Sequence, residues 1–400
     1  MSVKKRIVEM LKITTAFSIL LIIICIFFFL FSYIWIDFGL VLMLGSAHPV
    51  VNNLLSLIEF GNHHREVLSG VYLLLIIPLF VLQTSLLFSK LHERLTTKAL
   101  LIGSGVTTLI FSLAYPLFSR DIFTYLFSAK MLWSYHVNPY KIAPEGIMTG
   151  DLWLSFIHNI QFTYQYGPAF LLYSLIPMIV FSGKRFIANF LGIKILNAIV
   201  FYLGGLLLFK LGNEDKKVFS YWFANPFLVV ELLINSHNDL LMICFWMITV
   251  FFISQRSKMR AGLALFFSTL TKYISALGIP VLFLSKEKRV LYFKFLTLTI
   301  PIFLLIQKLR GFNPWFYSWI YMFAPFSKLK TTSWVFINLT GLLLLLGYYP
   351  FIRTGFWGGD SLIPHLRFLL YLLVIAPILG ELNLKDKIRF LFSRLFNFRR

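Results

Sequence analysis

Apolar runs of about 20 residues follow one another along this chain, and short clusters of Lys and Arg separate them. That alternation constrains the fold more than any other feature. A helix of that length satisfies its own backbone hydrogen bonds, so it crosses a bilayer with no polar group left unpaired. A transmembrane barrel needs alternating apolar and polar residues, whereas these runs are continuous. The expected fold class is therefore all-α, a polytopic helical membrane protein of about ten to twelve spans. Composition agrees: 13% of residues are charged, against roughly a quarter in soluble domains.

The formal net charge of +21 invites a nucleic-acid partner, but the distribution argues against one. Basic residues gather at Lys4-Lys5-Arg6, Lys90 to Lys98, Lys216-Lys217, Arg256 to Arg260, Lys286 to Arg289 and the tail from Lys385. Clusters between apolar runs write positive-inside topology and touch anionic headgroups, which makes membrane lipids the expected surroundings and nucleic acid an excluded partner. Cys25 and Cys244 both fall within apolar runs, so neither a disulfide framework nor a cysteine metal site is expected. The N-terminus is basic and then apolar, but its run from Ile13 to Tyr33 is too long for a cleaved signal and no small-residue site follows.

Taken in order, a first helix runs outward over Ile13 to Tyr33, and Asp37 to Ser69 reads as an external loop. Helix Gly70 to Ser89 returns to the cluster Lys90–Lys98, and Ala99 to Phe118 runs outward again to deliver Ser119-Arg120-Asp121. Residues 119–167 are the longest weakly hydrophobic stretch, an interfacial outer-face loop whose aromatics predict an amphipathic helix on the membrane. Beyond Pro168 two runs are each followed by basic residues, so one of them reads as a partial or re-entrant pass. Val218 to Ile234 then rises to Asn235-Ser236-His237-Asn238-Asp239, and Leu240 to Ile253 descends. Ala261 to Leu284 reads as a broken hairpin with Lys272 at its tip. Residues 1–380 thus form one transmembrane domain, and residues 381–400 a basic amphipathic tail on the cytoplasmic side.

The chain has only 16 acids. Asp121 and Asp239 stand out, each near a helix end at a depth where an unpaired charge is costly. A salt bridge with Arg120 and a structural network around His237 are the plain alternatives. Arg120, Lys130, Lys272 and Arg310 are the cations placed to neutralise a phosphate or a headgroup at the outer interface. No nucleotide-binding glycine signature is present. No cofactor is specified; Asp121, His237 and Asp239 are the side chains available to a divalent metal.

In combination the motifs resemble a family. Ser119-Arg120-Asp121-Ile122-Phe123-Thr124-Tyr125 with Asn138-Pro139-Tyr140, then Tyr166-Gly167-Pro168, Asn225-Pro226 with His237-Asn238-Asp239, Thr271-Lys272-Tyr273 and Asn313-Pro314-Trp315 fall in order over about half the chain. They resemble polyprenol-phosphate-mannose-dependent mannosyltransferases of the GT-C superfamily, especially the α-(1→6)-mannosyltransferases of actinobacterial lipoglycan assembly. The chain departs from that pattern at Ala129-Lys130, where the family often has Gly and Arg or Gln-Gly, and at His136, where it has Gly.

The resemblance implies a GT-C-like bundle in the plasma membrane with its site on the extracytoplasmic face. It implies transfer of a sugar, mannose by the family's habit, from a polyprenyl-phosphate donor to a hydroxyl of a glycan or glycolipid acceptor, with inversion. Asp121 would be the general base, and Arg120, Lys272 and Arg310 would hold the donor phosphate. Tyr125, Tyr140, Tyr166, His237, Asn238, Asp239 and Trp315 would bind sugar or acceptor. The rival class is a transporter or flippase of lipid-linked sugars, which calls for inverted repeats and midplane charges that the sequence does not show clearly.

Overall fold

The structure is a computed structural model and describes residues 3–34, 49–88, 91–147, 150–306, 313–356 and 362–381. Among these residues it is all helical, with no strand. The chain divides into two compact units, residues 1–276 with 348–359 and residues 277–347 with 360–400.

The first unit holds α1 (Val3–Ile34), α2 (Pro49–His63), α3 (Arg65–Phe88), α4 (Leu91–Arg94), α5 (Thr97–Leu113), α6 (Asp121–Ser134), α7 (Pro168–Phe181), α8 (Phe186–Leu211), the short α9 (Pro226–Leu228), α10 (Asp239–Ser254) and α11 (Lys258–Thr271). π-helical turns span Phe219–Phe223 and Val229–Ile234. In this unit α5 packs on α1 and α8, α10 lies against α8 and α11, and α7 lies against α6, α8 and α11. The second unit holds α12 (Lys286–Ile306), α13 (Ile320–Phe323) and α14 (Thr331–Leu346). α15 (Tyr349–Thr354) belongs to the first unit and α16 (Leu362–Glu381) to the second. Within the second unit Glu381, at the end of α16, accepts from the Lys330 backbone N–H at 2.9 Å and from Lys294 Nζ at 3.3 Å, so it binds the start of α14 and the middle of α12 at once.

Among the described residues three helices are long and apolar enough to cross a membrane: Arg65–Phe88, Phe186–Leu211 and Thr331–Thr354. A fourth candidate is the pair Pro226–Ile234 and Asp239–Ser254, bent by 113°. Most of the other apolar runs counted in the sequence form shorter helices, because prolines and polar breaks end them early. α5 is one such case. It stops at Leu113, where Ala114 turns extended ahead of Tyr115-Pro116, a sequence that disfavours helix.

The stretch read as an external loop before Ser69 is corrected in part. Residues 49–63 form α2, and α3 begins at Arg65, before the expected start at Gly70. The expected amphipathic helix in residues 119–167 exists as α6, but it does not lie with one face open. Ile122, Phe123, Tyr125, Leu126, Phe127, Ala129, Lys130 and Met131 are all buried, so α6 is an interior element with Trp133 exposed near its end. The helix break predicted at Lys272 is present: α11 ends at Thr271, and a 3-10 helix follows over Tyr273–Leu282. The amphipathic tail falls outside the described residues, apart from Glu381.

Candidate active site

The site starts from a non-helical segment, residues 114–120, between α5 and α6. A buried backbone outside a helix needs partners from side chains, and here they come from far along the chain. Ser32 Oγ accepts from Tyr115 N at 2.9 Å, and Asn235 Oδ1 accepts from Leu117 N and Phe118 N, each at 3.1 Å. These bonds fix where α6 begins. Asp121 is its first residue, Ser119 Oγ accepts from the Asp121 N–H at 3.2 Å, and an acid there complements the helix dipole. Arg120 is the half-buried N-cap residue of α6.

The second segment of the site is the Asn225–Asp239 stretch. Asn225 caps α9, its Oδ1 accepting from Phe227 N at 3.0 Å and Leu228 N at 3.3 Å, with Pro226 at the first helical position where no N–H is needed. The carbonyls at the end of the following π turn would be left without acceptable partners in an apolar interior. Lys194, fully buried on α8, donates to Leu233 O at 2.7 Å, Ile234 O at 2.8 Å and Ser236 Oγ at 3.1 Å. Ser236 takes a left-handed φ of 60°. The connector so formed turns His237 toward Asp121 and starts α10 at Asp239.

His237 is the hub. Its Nδ1 lies 3.4 Å from Asp121 Oδ2 and its Nε2 lies 3.3 Å from Glu231 Oε2. Glu231 also accepts from Asn235 Nδ2 at 3.1 Å and from Tyr348 Oη at 2.9 Å. His237 and Glu231 are sealed from solvent, whereas the Asp121 side chain keeps 27% of its surface exposed. Tyr125 Oη donates toward Asp121 Oδ2 at 3.4 Å, and the Tyr166 hydroxyl also bonds Asp121.

Burial works to raise the Asp121 pKa, but the hydrogen bond and charge of His237, the Tyr166 hydroxyl and the charge of Lys272 outweigh it and hold the carboxyl below its ordinary value. His237 lies in the connector, outside both helices. Burial would lower its pKa, yet the carboxylates on either side raise it to about 9.

A second charged pair adjoins this line. Lys272, at the α11 break, donates to Asp239 Oδ1 at 2.8 Å and Oδ2 at 2.9 Å, and reaches Asn238 Oδ1 at 3.4 Å. Asp239 has no exposed surface, while the Lys272 side chain keeps 20%.

Residues 135–147 and 150–167 border the cluster. Pro139 O accepts from Tyr164 N at 2.8 Å and Tyr140 Oη donates to Tyr166 O at 2.9 Å. The rings of Tyr125 and Tyr166 meet edge-on at 4.7 Å, and those of Tyr140 and Tyr164 at 5.3 Å. Lys130 is spent at this border: it pairs with Asp151 and lies 4.1 Å over the Trp153 ring.

The structure therefore brings together Asp121, Tyr125, Tyr166, His237, Asn238, Asp239 and Lys272, with Tyr140 held at the border. Arg310 lies outside the described residues. Trp315 belongs to the second unit, half-buried, its ring packed edge-on to Phe316 at 5.6 Å. Three partners were not anticipated: Glu231, Tyr348 and Lys194. Glu231 and Lys194 each carried a signal, a charge inside an apolar run, which is seldom idle. Nothing near Tyr348 in the sequence marks it.

Asp121, His237 and Asp239 do not converge as a ligand set. Asp239 gives both oxygens to Lys272, and no group of three or more His, Cys, Asp or Glu suited to a metal occurs among the described residues.

Fold and site together define an all-helical chain with candidate membrane spans and a buried acid–imidazole–acid line that ends on an accessible carboxylate. The chain belongs to the alpha-(1->6)-mannopyranosyltransferase family, whose N-terminal domain model matches residues 31–286, more than half of it. The family named from the ordered motifs is thus the right one, and membership implies a glycosyltransferase that uses a mannose donor and an acceptor. The matched range contains both charged clusters except Tyr348. Comparison with curated proteins and with solved structures returns no match.

Proposed function

We propose that the chain is an integral membrane mannosyltransferase that takes its sugar from a polyprenyl phosphate and passes it to a hydroxyl of a glycan or glycolipid at the extracytoplasmic face. The observation that carries this reading is the setting of Asp121: its carboxylate faces His237 Nδ1 at 3.4 Å, yet the side chain keeps an exposed edge. Basic clusters before α1 and between α3 and α5 support the outward side for the start of α6.

In this reaction Asp121 takes the proton of the acceptor hydroxyl as its oxygen bonds to the anomeric carbon. The bond from that carbon to the phosphate oxygen breaks on the opposite face, and the electron pair leaves with the lipid phosphate, so configuration inverts. Lys272 is the cation of the described residues best placed to meet the growing phosphate charge, and Arg120 is assigned to the same role. Tyr140 and Tyr166 wall the sugar, with Tyr125 packed behind Tyr166. Asn238 and Asp239 hold Lys272 in place, and His237 holds Asp121. The lipid tail keeps the donor at the depth of the bilayer surface, consistent with a multi-pass fold in the plasma membrane.

Asp121→Asn tests the reading directly. Transfer from polyprenyl-phosphate mannose, measured in detergent on protein that elutes as the wild type does, should fall by about 10²–10⁴-fold. Undiminished transfer removes Asp121 from the chemistry. Movement of the lipid-linked sugar across a vesicle without transfer would favour the carrier reading.

A further inference from the structure

General-base catalysis by Asp121 leaves a second buried carboxylate without a role. Glu231 sits in the π turn Val229–Ile234 with no exposed surface, in an apolar interior where an acid is costly to keep. Its oxygens are held from separate parts of the chain: Oε1 by Tyr348 Oη at 2.9 Å, Oε2 by Asn235 Nδ2 at 3.1 Å with His237 Nε2 at 3.3 Å. Asn235 also binds the two backbone N–H groups that lead into α6, so the residue that steadies Glu231 steadies the approach to Asp121 as well. The opposite nitrogen of the same imidazole faces Asp121 Oδ2 at 3.4 Å.

A charge network that served the core alone would have no reason to end on a carboxylate that keeps part of its surface exposed. This one runs from a sealed carboxylate, through one ring, to a carboxylate 27% exposed. The order of groups is that of an orienting acid, an imidazole and a working group.

We propose that Glu231 is a positioning residue for Asp121, acting through His237, with Tyr348 as the anchor that fixes Glu231. Glu231 sets the rotation of the ring, the ring keeps its Nδ1 proton on Asp121 Oδ2, and the Asp121 carboxylate holds one orientation toward the acceptor hydroxyl. No proton from the acceptor travels to Glu231. The proposal rests on the reading of Asp121 as the base.

The full-length protein in detergent, with polyprenyl-phosphate mannose, provides the test. Glu231→Gln keeps the volume and a carbonyl for Tyr348 but removes the charge behind the ring. Its kcat should fall about 10–100-fold, the size of loss known for partners that orient a metal-bound imidazole, with KM for the donor unchanged. In the double variant with His237→Gln the loss should be no greater than for His237→Gln alone. Losses that multiply, or an unchanged kcat for Glu231→Gln, overturn the positioning role. Should Glu231→Gln fail to fold, Tyr348→Phe goes through the same cycle, and its loss should likewise vanish without His237. An inert wild-type protein counts instead against the glycosyl-transfer reading, so the two failures are distinct.

Discussion

Gly167 and Leu270 meet backbone to backbone: a Cβ on Gly167 would lie 1.8 Å from the Leu270 carbonyl oxygen and 2.7 Å from that of Thr271. The contact joins the start of α7 to the end of α11. Tyr166 precedes the glycine and Lys272 follows Thr271, so one close approach sets both the hydroxyl that bonds Asp121 and the ammonium that bonds Asp239.

Gly167→Ala should therefore be severe although it adds one methyl. The atoms it meets are backbone, which cannot swing aside as a side-chain end does. Overpacking costs about 1–3 kcal/mol in most cores, and here relief requires the two helix ends to part. A fall in the detergent melting temperature with loss of transfer is expected. A variant that melts and works like the wild type would show that the two backbones do not approach this closely.

Lys272 and Asp239 allow stability and chemistry to be separated. Lys272→Met leaves a fully buried carboxylate without its cation, a loss of about 3–5 kcal/mol. Changing Asp239 to Leu as well removes the buried charge, so the double variant should recover much of the melting temperature. Activity should stay low in both if Lys272 meets the donor phosphate. Recovery of activity along with stability would reduce the pair to a structural salt bridge.

Much of this site is legible in the amino-acid order, and the reasons are physical. Asp121, His237, Asp239 and Lys272 are charges at the edges of apolar runs, where sequence alone shows an energetic cost that demands a purpose. Even the departures carry information. His136 stands where the resembling family has glycine, and its φ of 54° lies in the left-handed region that favours glycine. Lys130 replaces another residue of that pattern and pairs with Asp151 at the border of the site. Pairing at long range is what hydropathy leaves unread. Tyr348 reaches Glu231 across more than a hundred residues, and hydropathy says nothing about which helix faces which. The span count suffers for the same reason, since runs such as the one after Asn225 are broken by caps and π turns that hydropathy averages over.

The pH dependence follows from the Asp121–His237 pair. Asp121 is depressed, so its share of stability is present above its unfolded value and is lost as pH falls through the lower folded one. His237 is raised to about 9, so its share is complete below its unfolded value, about 6.5, and is lost as pH rises through about 9. Tyr125 and Tyr166 are pushed up by burial first and by the Asp121 charge second, so they stay protonated donors across this window. The rate should be flat at neutral pH, with an acid limb below the usual carboxylate range and an alkaline limb near 9. His237→Gln should remove the alkaline limb. An alkaline limb that survives that change belongs to another group.

Lys194 gives the sharpest contrast between stability and function. Lys194→Met removes donors from the Leu233 and Ile234 carbonyls, at about 1–3 kcal/mol for each group left unsatisfied. It also removes a fully buried amine, whose desolvation carries a cost of comparable size. The two effects oppose each other, so the melting temperature should change little. The connector has no such compensation. Without Lys194, Ser236 loses its 3.1 Å bond and the turn that aims His237 at Asp121 loosens. Transfer should drop about tenfold or more, as expected for groups misplaced by an ångström at a reacting centre. Equal and large losses of stability and activity would instead make Lys194 an ordinary structural residue of α8.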